Sequence, residues 1–190
     1  MQTFIIEHLE PRLYPWCELE YRHISSIVGK NNLLFTNIRS ASAAAKLQKI
    51  GRVEKKSVSE LLLKKACLLD PEADKLLTPA DGKKFDFFVF GGILGDDPPK
   101  ERTKELLTSK MPEVETRNLG PKQMSTDTAV LVTKKIIDGT QLGKIKFIDG
   151  AIVQIQEGEE VILPYRYVKQ DGKPFLAPGI ETLLRKRKQF

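Results

Sequence analysis

The chain has 190 residues, of which 41% are hydrophobic and 29% are charged, a balance typical of one soluble domain with a single core or a core plus a small lobe. The formal net charge of +6 favours RNA, ribosomes or another anionic surface as a partner, although many basic proteins bind none of these. With only two cysteines and two histidines, the composition excludes a disulfide framework and a zinc site.

Cys17 and Cys67 each lie within an apolar stretch, which predicts buried free thiols in a reducing compartment. We find no apolar run long enough to span a bilayer and no secretory leader. The expectation is therefore a cytosolic or nuclear protein, assigned to the cytoplasm, with no membrane association and no metal.

The first half of the chain alternates short apolar runs with helical periodicity. Pro15 suits the first turn of a helix, and Gly29 suits the left-handed residue that ends it. The predicted order is strand 4–6, helix 16–28, strand 32–36, helix 41–50 and strand 65–69.

A basic stretch runs from Lys46 to Lys65, where seven basic residues stand against Glu54 and Glu60. A solvated helical face explains this composition. A docking surface for RNA or for an acidic partner explains it as well.

The second half contains two glycine turns, each at the end of a predicted strand. Strand 85–90 runs into the glycine turn 91–95, and strand 115–119 runs into a second turn before a helix capped by Ser125 or Thr126. Asp97-Pro98 is a further predicted helix start. The remaining elements are short strands or a hairpin, with segments at 146–149, 152–155 and 161–168, and a helix at 180–190.

Strands alternating with helices predict an α/β fold, an open and mostly parallel sheet with helices on both faces, plus a short C-terminal β-rich extension. We assign the main domain to residues 1–150 and the extension, packed on the same domain, to residues 151–190. In such sheets, a ligand binds where loops leave the ends of adjacent strands.

The pattern Gly-Gly-x-x-Gly at residues 91–95 matches neither common phosphate-binding motif. A dinucleotide fingerprint follows the first strand as Gly-x-Gly-x-x-Gly, and no Walker lysine with serine or threonine follows here. The glycine motif that the usual doubly wound methyltransferases carry after their first strand is absent too. Taken alone, the pattern fits tight strand-to-helix packing as well as ligand binding.

The segment LGPKQMST at residues 119–126 resembles the last cofactor loop of the SPOUT methyltransferases, the trefoil-knotted class. In those enzymes three loops from neighbouring strands wrap a bent S-adenosylmethionine. Residues 69–71, 91–95 and 119–126 fall in the matching order. The resemblance implies a deep trefoil knot near residues 85–140, an exception to the rule that chains do not thread loops.

Longer strings narrow the resemblance to one small SPOUT family and cover nearly the whole chain: FIIEH, CLLDP, KFDFFVFGGILGD, TDTA and KFID. Its fungal-type members are protein arginine N-methyltransferases that act on a small-subunit ribosomal protein and were first described as predicted RNA methyltransferases. The resemblance implies S-adenosylmethionine as cofactor, S-adenosylhomocysteine and monomethylarginine as products, and a monomer. The alternatives are an rRNA or tRNA methyltransferase that contacts RNA through its basic surface, and a non-catalytic ribosome-assembly factor.

The resemblance also implies that all three loops contact the cofactor. Their backbones would hydrogen-bond the adenine, their apolar side chains would enclose it, and their glycines would allow close approach. The implied residues are Leu69, Asp70, Pro71, Gly91, Gly92, Ile93, Leu94, Gly95, Leu119, Gly120, Gln123, Met124 and Thr126.

Methyl transfer to arginine calls for a carboxylate, because the guanidinium has a pKa above about 12 and no free lone pair while protonated. The carboxylate would orient the guanidinium and assist proton loss, a need that an RNA base would share. Asp96 is the preferred candidate, since a helix cap there needs only one aspartate. The other candidates are Asp97, Glu7 and Asp127, with helix-end charge or strand-end packing as alternative roles, and Arg102 and Arg166 as substrate contacts or surface ion pairs.

Overall fold

The computed structural model describes residues 2–95, 100 and 102–186. The helices of these residues are α1 (Pro15–Val28), α2 (Ala41–Leu47), α3 (Asp81–Lys84), α4 (Arg102–Leu106), α5 (Thr126–Ile137) and α6 (Ile180–Lys186). The strands are β1 (Thr3–His8), β2 (Leu33–Thr36), β3 (Arg52–Val53), β4 (Ala66–Leu69), β5 (Phe87–Gly92), β6 (Glu115–Arg117), β7 (Phe147–Gln156), β8 (Glu159–Gln170) and β9 (Lys173–Pro174).

Six strands form one sheet in the order β3-β2-β1-β5-β4-β6, and every pairing in it is parallel. In the centre of the sheet, Ile5 of β1 lies between Leu34 of β2 and Val89 of β5. The last strands form a separate antiparallel sheet in the order β7-β8-β9. The predicted parallel α/β sheet and the β-rich C-terminal extension are therefore confirmed.

Both faces of the parallel sheet are covered. Phe4 and Ile6 pack in one cluster with the apolar stripes of α1 and α5. Ile5 points the other way and packs with Val58 and Leu107, which lie in or beside short helical segments on that side. Alternate residues of β1 thus enter two different cores, as a parallel strand buried on both faces requires. No helix in the described part of the chain is long and apolar enough to cross a bilayer.

Several predicted elements end earlier or start later than the sequence suggested, among them the strand predicted at 115–119, which ends at Arg117. The helix predicted at 41–50 ends at Leu47. The strand predicted from Phe85 begins at Phe87, because the Phe85 backbone N–H donates to the Asp81 carbonyl and ends α3. Phe85 is nevertheless buried, so its hydrophobicity reflects the core and not the strand.

The strands predicted at 146–149 and 152–155 are one strand, β7. Gly150 has φ +78° and lies at a register shift between Asp149 and Ala151, so this glycine marks a β-bulge within the strand. The division into residues 1–150 and 151–190 falls at this bulge and stays a prediction. The helix start predicted at Asp97 lies outside the described residues.

Helix α1 carries two polar side chains inside its buried stripe. Cys17, Tyr21 and Ile24 are buried, as their spacing predicts. Glu20 and His23 are buried on the same helix, although neither belongs to a motif that predicts a function. Burial of an ionisable group costs free energy unless the group has a hydrogen-bond or charge partner, so Glu20 and His23 are candidates for a functional role.

The loops that follow β4, β5 and β6 leave the sheet at one edge. These three strands are neighbours in the order β5-β4-β6 and run parallel, so their carboxyl ends lie side by side. The edge is where an open parallel sheet places a ligand.

Candidate functional site

A cavity of about 340 Å³ opens between the loops that follow β4, β5 and β6, and we name it the loop cavity. Every residue predicted to contact a cofactor lines it, with the exception of Gly92. Leu94 and Met124 give it apolar walls, and Gly91 and Gly95 add backbone without side chains. Its volume suits a small organic ligand.

Gly92 serves packing between β5, β1 and α1. A Cβ at this position would lie 2.3 Å from Tyr21 Oη and 3.0 Å from the Glu7 carbonyl oxygen. Tyr21 Oη is itself held 2.9 Å from His8 Nδ1. Gly92 is therefore required by its protein neighbours, and it does not line the loop cavity.

The C-terminal hairpin fastens two of the cavity loops. Tyr165 Oη donates to the Gly95 carbonyl oxygen at 2.8 Å, and the backbone N–H of Arg166 donates to the Gln123 carbonyl oxygen at 2.8 Å. A Cβ on Gly95 would lie 2.6 Å from both the Gln123 side-chain nitrogen and a Tyr165 ring carbon. Only a glycine at this position lets the hairpin approach so closely.

The two predicted substrate arginines have different surroundings. Arg102 lines the loop cavity, where its guanidinium donates to the Leu94 carbonyl oxygen at 3.1 Å and to Glu10 Oε1 at 3.3 Å. Glu10 Oε1 also accepts from the Leu94 backbone N–H at 2.9 Å, so this pair brackets the loop at Leu94. Arg166 does not line the loop cavity, and its guanidinium forms a two-point ion pair with Asp149 at 2.6 and 3.0 Å.

Glu7, a predicted catalytic residue, has its carboxylate occupied by structural donors. Its oxygens accept from Thr36 Oγ1 at 2.5 Å, Ser57 Oγ at 2.7 Å and the Val58 backbone N–H at 2.9 Å. Glu7 does not line the loop cavity. These bonds tie β1 to β2 and to the turn at Val58–Glu60, so the geometry gives Glu7 a structural role.

The remaining predicted carboxylates lie outside the cavity or outside the described residues. Asp127 accepts from Ser125 Oγ at 2.6 Å and lies 2.7 Å from His23 Nδ1, buried in the first turn of α5. It does not line the loop cavity. Asp96 and Asp97 fall among the residues that the structure does not describe.

A second cavity of about 200 Å³ adjoins the loop cavity, and we name it the Trp16 cavity. Ile93, Leu94, Gly95 and Thr126 line both cavities, so the two share one wall. The other sides of the Trp16 cavity come from α1, through Trp16 and Glu20, and from Ser125, Leu163, Pro164 and Tyr165.

Glu20 is the ionisable group of the Trp16 cavity. Its Oε1 accepts from Trp16 Nε1 at 2.8 Å, and the side chain is only 6% exposed. Burial raises the pKa of Glu20 well above its ordinary value, the Asp127 charge adds to the shift, and hydrogen bonds from Trp16 and Thr126 oppose it. A carboxyl group with a raised pKa beside a ligand-sized cavity is a functional-site candidate.

Comparison with known proteins decides the family. A family model described as Protein arginine N-methyltransferase SFM1-like matches residues 3–189. Protein arginine N-methyltransferase SFM1 of Saccharomyces cerevisiae is 41% identical over 200 residues, covering 96% of this chain and 94% of the yeast protein. The chain belongs to the SFM1-like protein arginine N-methyltransferases.

Solved structures support the same relationship. The yeast SFM1 crystal structure complexed with S-adenosylmethionine (SAM) has a TM-score of 0.90 at 39% identity, covering 98% of this chain and 91% of that one. The complex with S-adenosylhomocysteine (SAH) has a TM-score of 0.88 at 40% identity, covering 96% and 94%. Trm10 of Thermococcus kodakaraensis, with a TM-score of 0.59, 15% identity and coverage of 75% and 95%, shows the SPOUT-like fold alone.

The sequence predicted the loops that line the loop cavity but did not predict Glu20 as a candidate. The loops carry long family strings, whereas Glu10 and Glu20 stand in segments without a catalytic motif. One signal was present: Glu20 lies three residues after Cys17 and four before Ile24, inside the apolar stripe of α1. Within residues 2–95, 100 and 102–186, no group of three His, Cys, Asp or Glu is arranged to hold a metal ion.

Proposed function

We propose that this SFM1-like methyltransferase transfers a methyl group from SAM to an arginine of a small-subunit ribosomal protein in the cytoplasm, giving monomethylarginine. The observation that carries the proposal is the loop cavity. It lies at the carboxyl ends of three adjacent parallel strands and is lined by the loops that the family resemblance assigned to the cofactor. The yeast relative was crystallised with SAM and with SAH.

The loop cavity fits the cofactor in size and chemistry. Leu69, Leu119 and Met124 offer apolar surface for an adenine ring, and Gly91 and Gly120 leave backbone groups accessible. Bound SAM supplies an electrophilic methyl group on a positively charged sulfur. The protein then has to hold the acceptor nitrogen in line with that methyl group and exclude water, because positioning accounts for most of the catalysis.

We infer that residues 85–140 form the trefoil knot that the SPOUT resemblance implies. The parallel order β5-β4-β6 and the fold-level likeness to Trm10 support it. A crystal structure that traces the backbone continuously from 85 to 140 tests this inference, and an unthreaded path would refute it.

The direct test of the proposed function is a transfer assay. Purified small ribosomal subunits are incubated with the protein and methyl-labelled SAM, then divided between RNase and protease digestion. Label that survives RNase, is lost to protease and appears as monomethylarginine after hydrolysis supports the proposal. Label lost to RNase would favour RNA as the acceptor. The net charge of +6 is compatible with this alternative, because positive charge favours binding to RNA phosphates. SAM binding without any label would favour the non-catalytic assembly factor.

Two glycine variants provide matched controls for the loop cavity. A Cβ on Gly91 points toward Ile93 and Thr103, which both line the cavity, whereas a Cβ on Gly143 meets nothing within 4 Å. We expect Gly91→Leu to weaken SAH binding at least about 10-fold, because the added side chain fills ligand space. Gly143→Leu should leave the affinity unchanged in calorimetry. Equal affinities in both variants would remove the 91–95 loop from the cofactor site.

A further inference from the structure

We propose that the Trp16 cavity receives the guanidinium of the acceptor arginine and that Glu20 is the carboxylate that binds it. The inference rests on the proposed function and extends it to the acceptor side. Glu20 is assigned this role because it is a buried acid that lines the Trp16 cavity.

The position of the Trp16 cavity is the first support. Ile93, Leu94, Gly95 and Thr126 separate it from the loop cavity and line both. The two cavities therefore adjoin at these four residues. Methyl transfer needs this arrangement, since the donor and acceptor atoms must approach within about 3–3.5 Å.

The charge of the Trp16 cavity is the second support. Trp16 and Thr126 donate hydrogen bonds to Glu20 and are both neutral, and the charge of Asp127 has the same sign as that of Glu20. An ionised carboxylate accepts about four hydrogen bonds, so Glu20 has acceptor capacity left for a ligand. A cationic guanidinium supplies both the missing charge and the missing donors.

The aromatic walls are the third support. Trp16 and Tyr165 both line the cavity, and the indole N–H of Trp16 holds the Glu20 carboxylate. A planar guanidinium stacks on such rings through cation–π attraction while it pairs with the acid. A phosphate group would meet repulsion from Glu20 and Asp127 instead, so the cavity selects an arginine over the backbone of an RNA acceptor.

The chemistry balances with these residues. A guanidinium nitrogen of the substrate forms a bond to the methyl carbon, the methyl–sulfur bond breaks, and its electron pair stays on sulfur, leaving neutral SAH. The nitrogen loses one proton, which Glu20 accepts and then returns to water. A buried carboxyl group with a raised pKa suits proton transfer from so weak an acid better than an exposed one does.

Binding is tested through Trp16, because it is the only tryptophan in the sequence. The protein, saturated with SAH, is titrated with Nα-acetylarginine amide or with the neutral isostere Nα-acetylcitrulline amide while the tryptophan emission is followed. We expect a saturable change with the arginine compound and none with the citrulline compound. No change with either, or equal changes with both, would overturn the proposal.

Two variants of α1 separate binding from folding. Glu20→Gln keeps the shape and the acceptor for Trp16 but lacks the charge. Glu18→Gln is the matched control, since Glu18 lies on the same helix, pairs with Arg22 and Lys46 and does not line the Trp16 cavity. We expect Glu20→Gln to weaken the acetylarginine titration at least about 10-fold. Its rate of protein methylation should fall at least about 100-fold, while SAH binding stays unchanged. Glu18→Gln should match the wild type in all three measurements.

The outcomes distinguish the two proposals. If the wild type labels ribosomal protein and Glu20→Gln labels it equally well, the acceptor assignment fails and the proposed function stands. If the wild type labels only RNA, the proposed function fails whatever Glu20→Gln does. If Glu20→Gln loses the acetylarginine signal but keeps full transfer activity, the assignment is also overturned, since arginine binding in the cavity would then not contribute to methyl transfer.

Discussion

Glu7 and Glu20 are both buried glutamates, exposed by 2% and 6%, yet they have opposite surroundings. Glu7 accepts from two hydroxyl groups and one backbone N–H, all supplied by structural neighbours. Glu20 accepts from Trp16 and Thr126, faces the acid Asp127 and lines a cavity. The carboxylate of Glu7 is stabilised by donors within the fold, whereas the carboxylate of Glu20 lacks a cationic partner among the described residues that line its cavity and can be stabilised by a bound cation.

The number of donors around a buried carboxylate distinguishes a structural acid from a functional one. A buried carboxylate with a full set of donors stabilises the fold, because each donor would otherwise be left unsatisfied. A buried carboxylate beside another acid, with room in front of it, costs stability in the free protein. The fold retains Glu20 at that cost, which points to a role in ligand binding.

The largest expected effect is on stability, with opposite outcomes at the two glutamates. Glu7→Gln places an amide among the donors of Thr36, Ser57 and Val58, so we expect it to lower the free energy of unfolding by about 2–3 kcal/mol. Glu20→Gln removes a buried acid without removing a donor, so its stability should equal or exceed that of the wild type. Urea unfolding at neutral pH measures both values, and equal losses would erase the distinction.

The two glycines of the β5 loop test the same contrast in the backbone. Gly92→Ala forces Tyr21 Oη to move from His8, so we expect a loss of about 1–3 kcal/mol in unfolding free energy. Gly95→Ala displaces Tyr165 and Gln123 at the junction of the cavities. It should weaken SAH binding about 10-fold, with a smaller loss of stability. Urea unfolding and calorimetry of both variants check this, and the reverse pattern would exchange their roles.

Periodicity and composition predicted most of the fold. Apolar runs gave the strands, and the spacing of Cys17, Tyr21 and Ile24 gave the buried face of α1. Element ends were less predictable, because a hydrogen bond such as that from the Phe85 N–H to the Asp81 carbonyl decides where a strand begins. Periodicity reports which side chains are buried and carries no information on such local bonds.

The loops that line the loop cavity were predicted from the family resemblance, whereas Glu20 and the Trp16 cavity were not predicted. Leu119–Thr126 forms one continuous motif, whereas the Trp16 cavity combines α1, the 93–95 segment and the hairpin, which are distant in sequence. Glu7 was a catalytic candidate because the sequence places it at the exit of the first strand. Its partners Thr36 and Ser57 come from segments that no local pattern connects to it.

The contribution of Glu20 to the free energy of unfolding depends on pH. The folded-state pKa of Glu20 is raised, so between its ordinary value near 4.3 and the raised value the folded protein holds more protons than the unfolded chain. The contribution of Glu20 to stability therefore falls as pH rises through this window and is constant above it. Several groups bond to Glu20, line its cavity or interact with it electrostatically. They are Asp127, Trp16, Thr126, Cys17, Tyr21, Tyr165 and Tyr167.

We expect the stability advantage of Glu20→Gln over the wild type to grow as pH rises above about 4.3, since the glutamine does not titrate. His8 acts in the opposite direction, because burial lowers its pKa, but it is present in both proteins and cancels in the difference. Urea unfolding of both proteins across this pH range measures the advantage. A constant advantage would mean that Glu20 titrates normally, and the contrast with Glu7 would lose its electrostatic basis.

The smallest expected effect concerns Arg166, the predicted substrate contact on the hairpin. Its guanidinium pairs with Asp149, whose side chain is half exposed, and lies over the Phe147 ring at 4.9 Å. Exposed ion pairs contribute about 1 kcal/mol or less, and the bond that fastens the Gln123 loop uses the Arg166 backbone N–H, which Arg166→Gln keeps. We expect the unfolding free energy to change by less than about 1 kcal/mol and the KM for the protein substrate to stay within about threefold. Steady-state methylation kinetics of Arg166→Gln check this, with Glu20→Gln as the contrasting variant. A large rise in KM alone would mean that the substrate extends from the Trp16 cavity across the hairpin to Arg166.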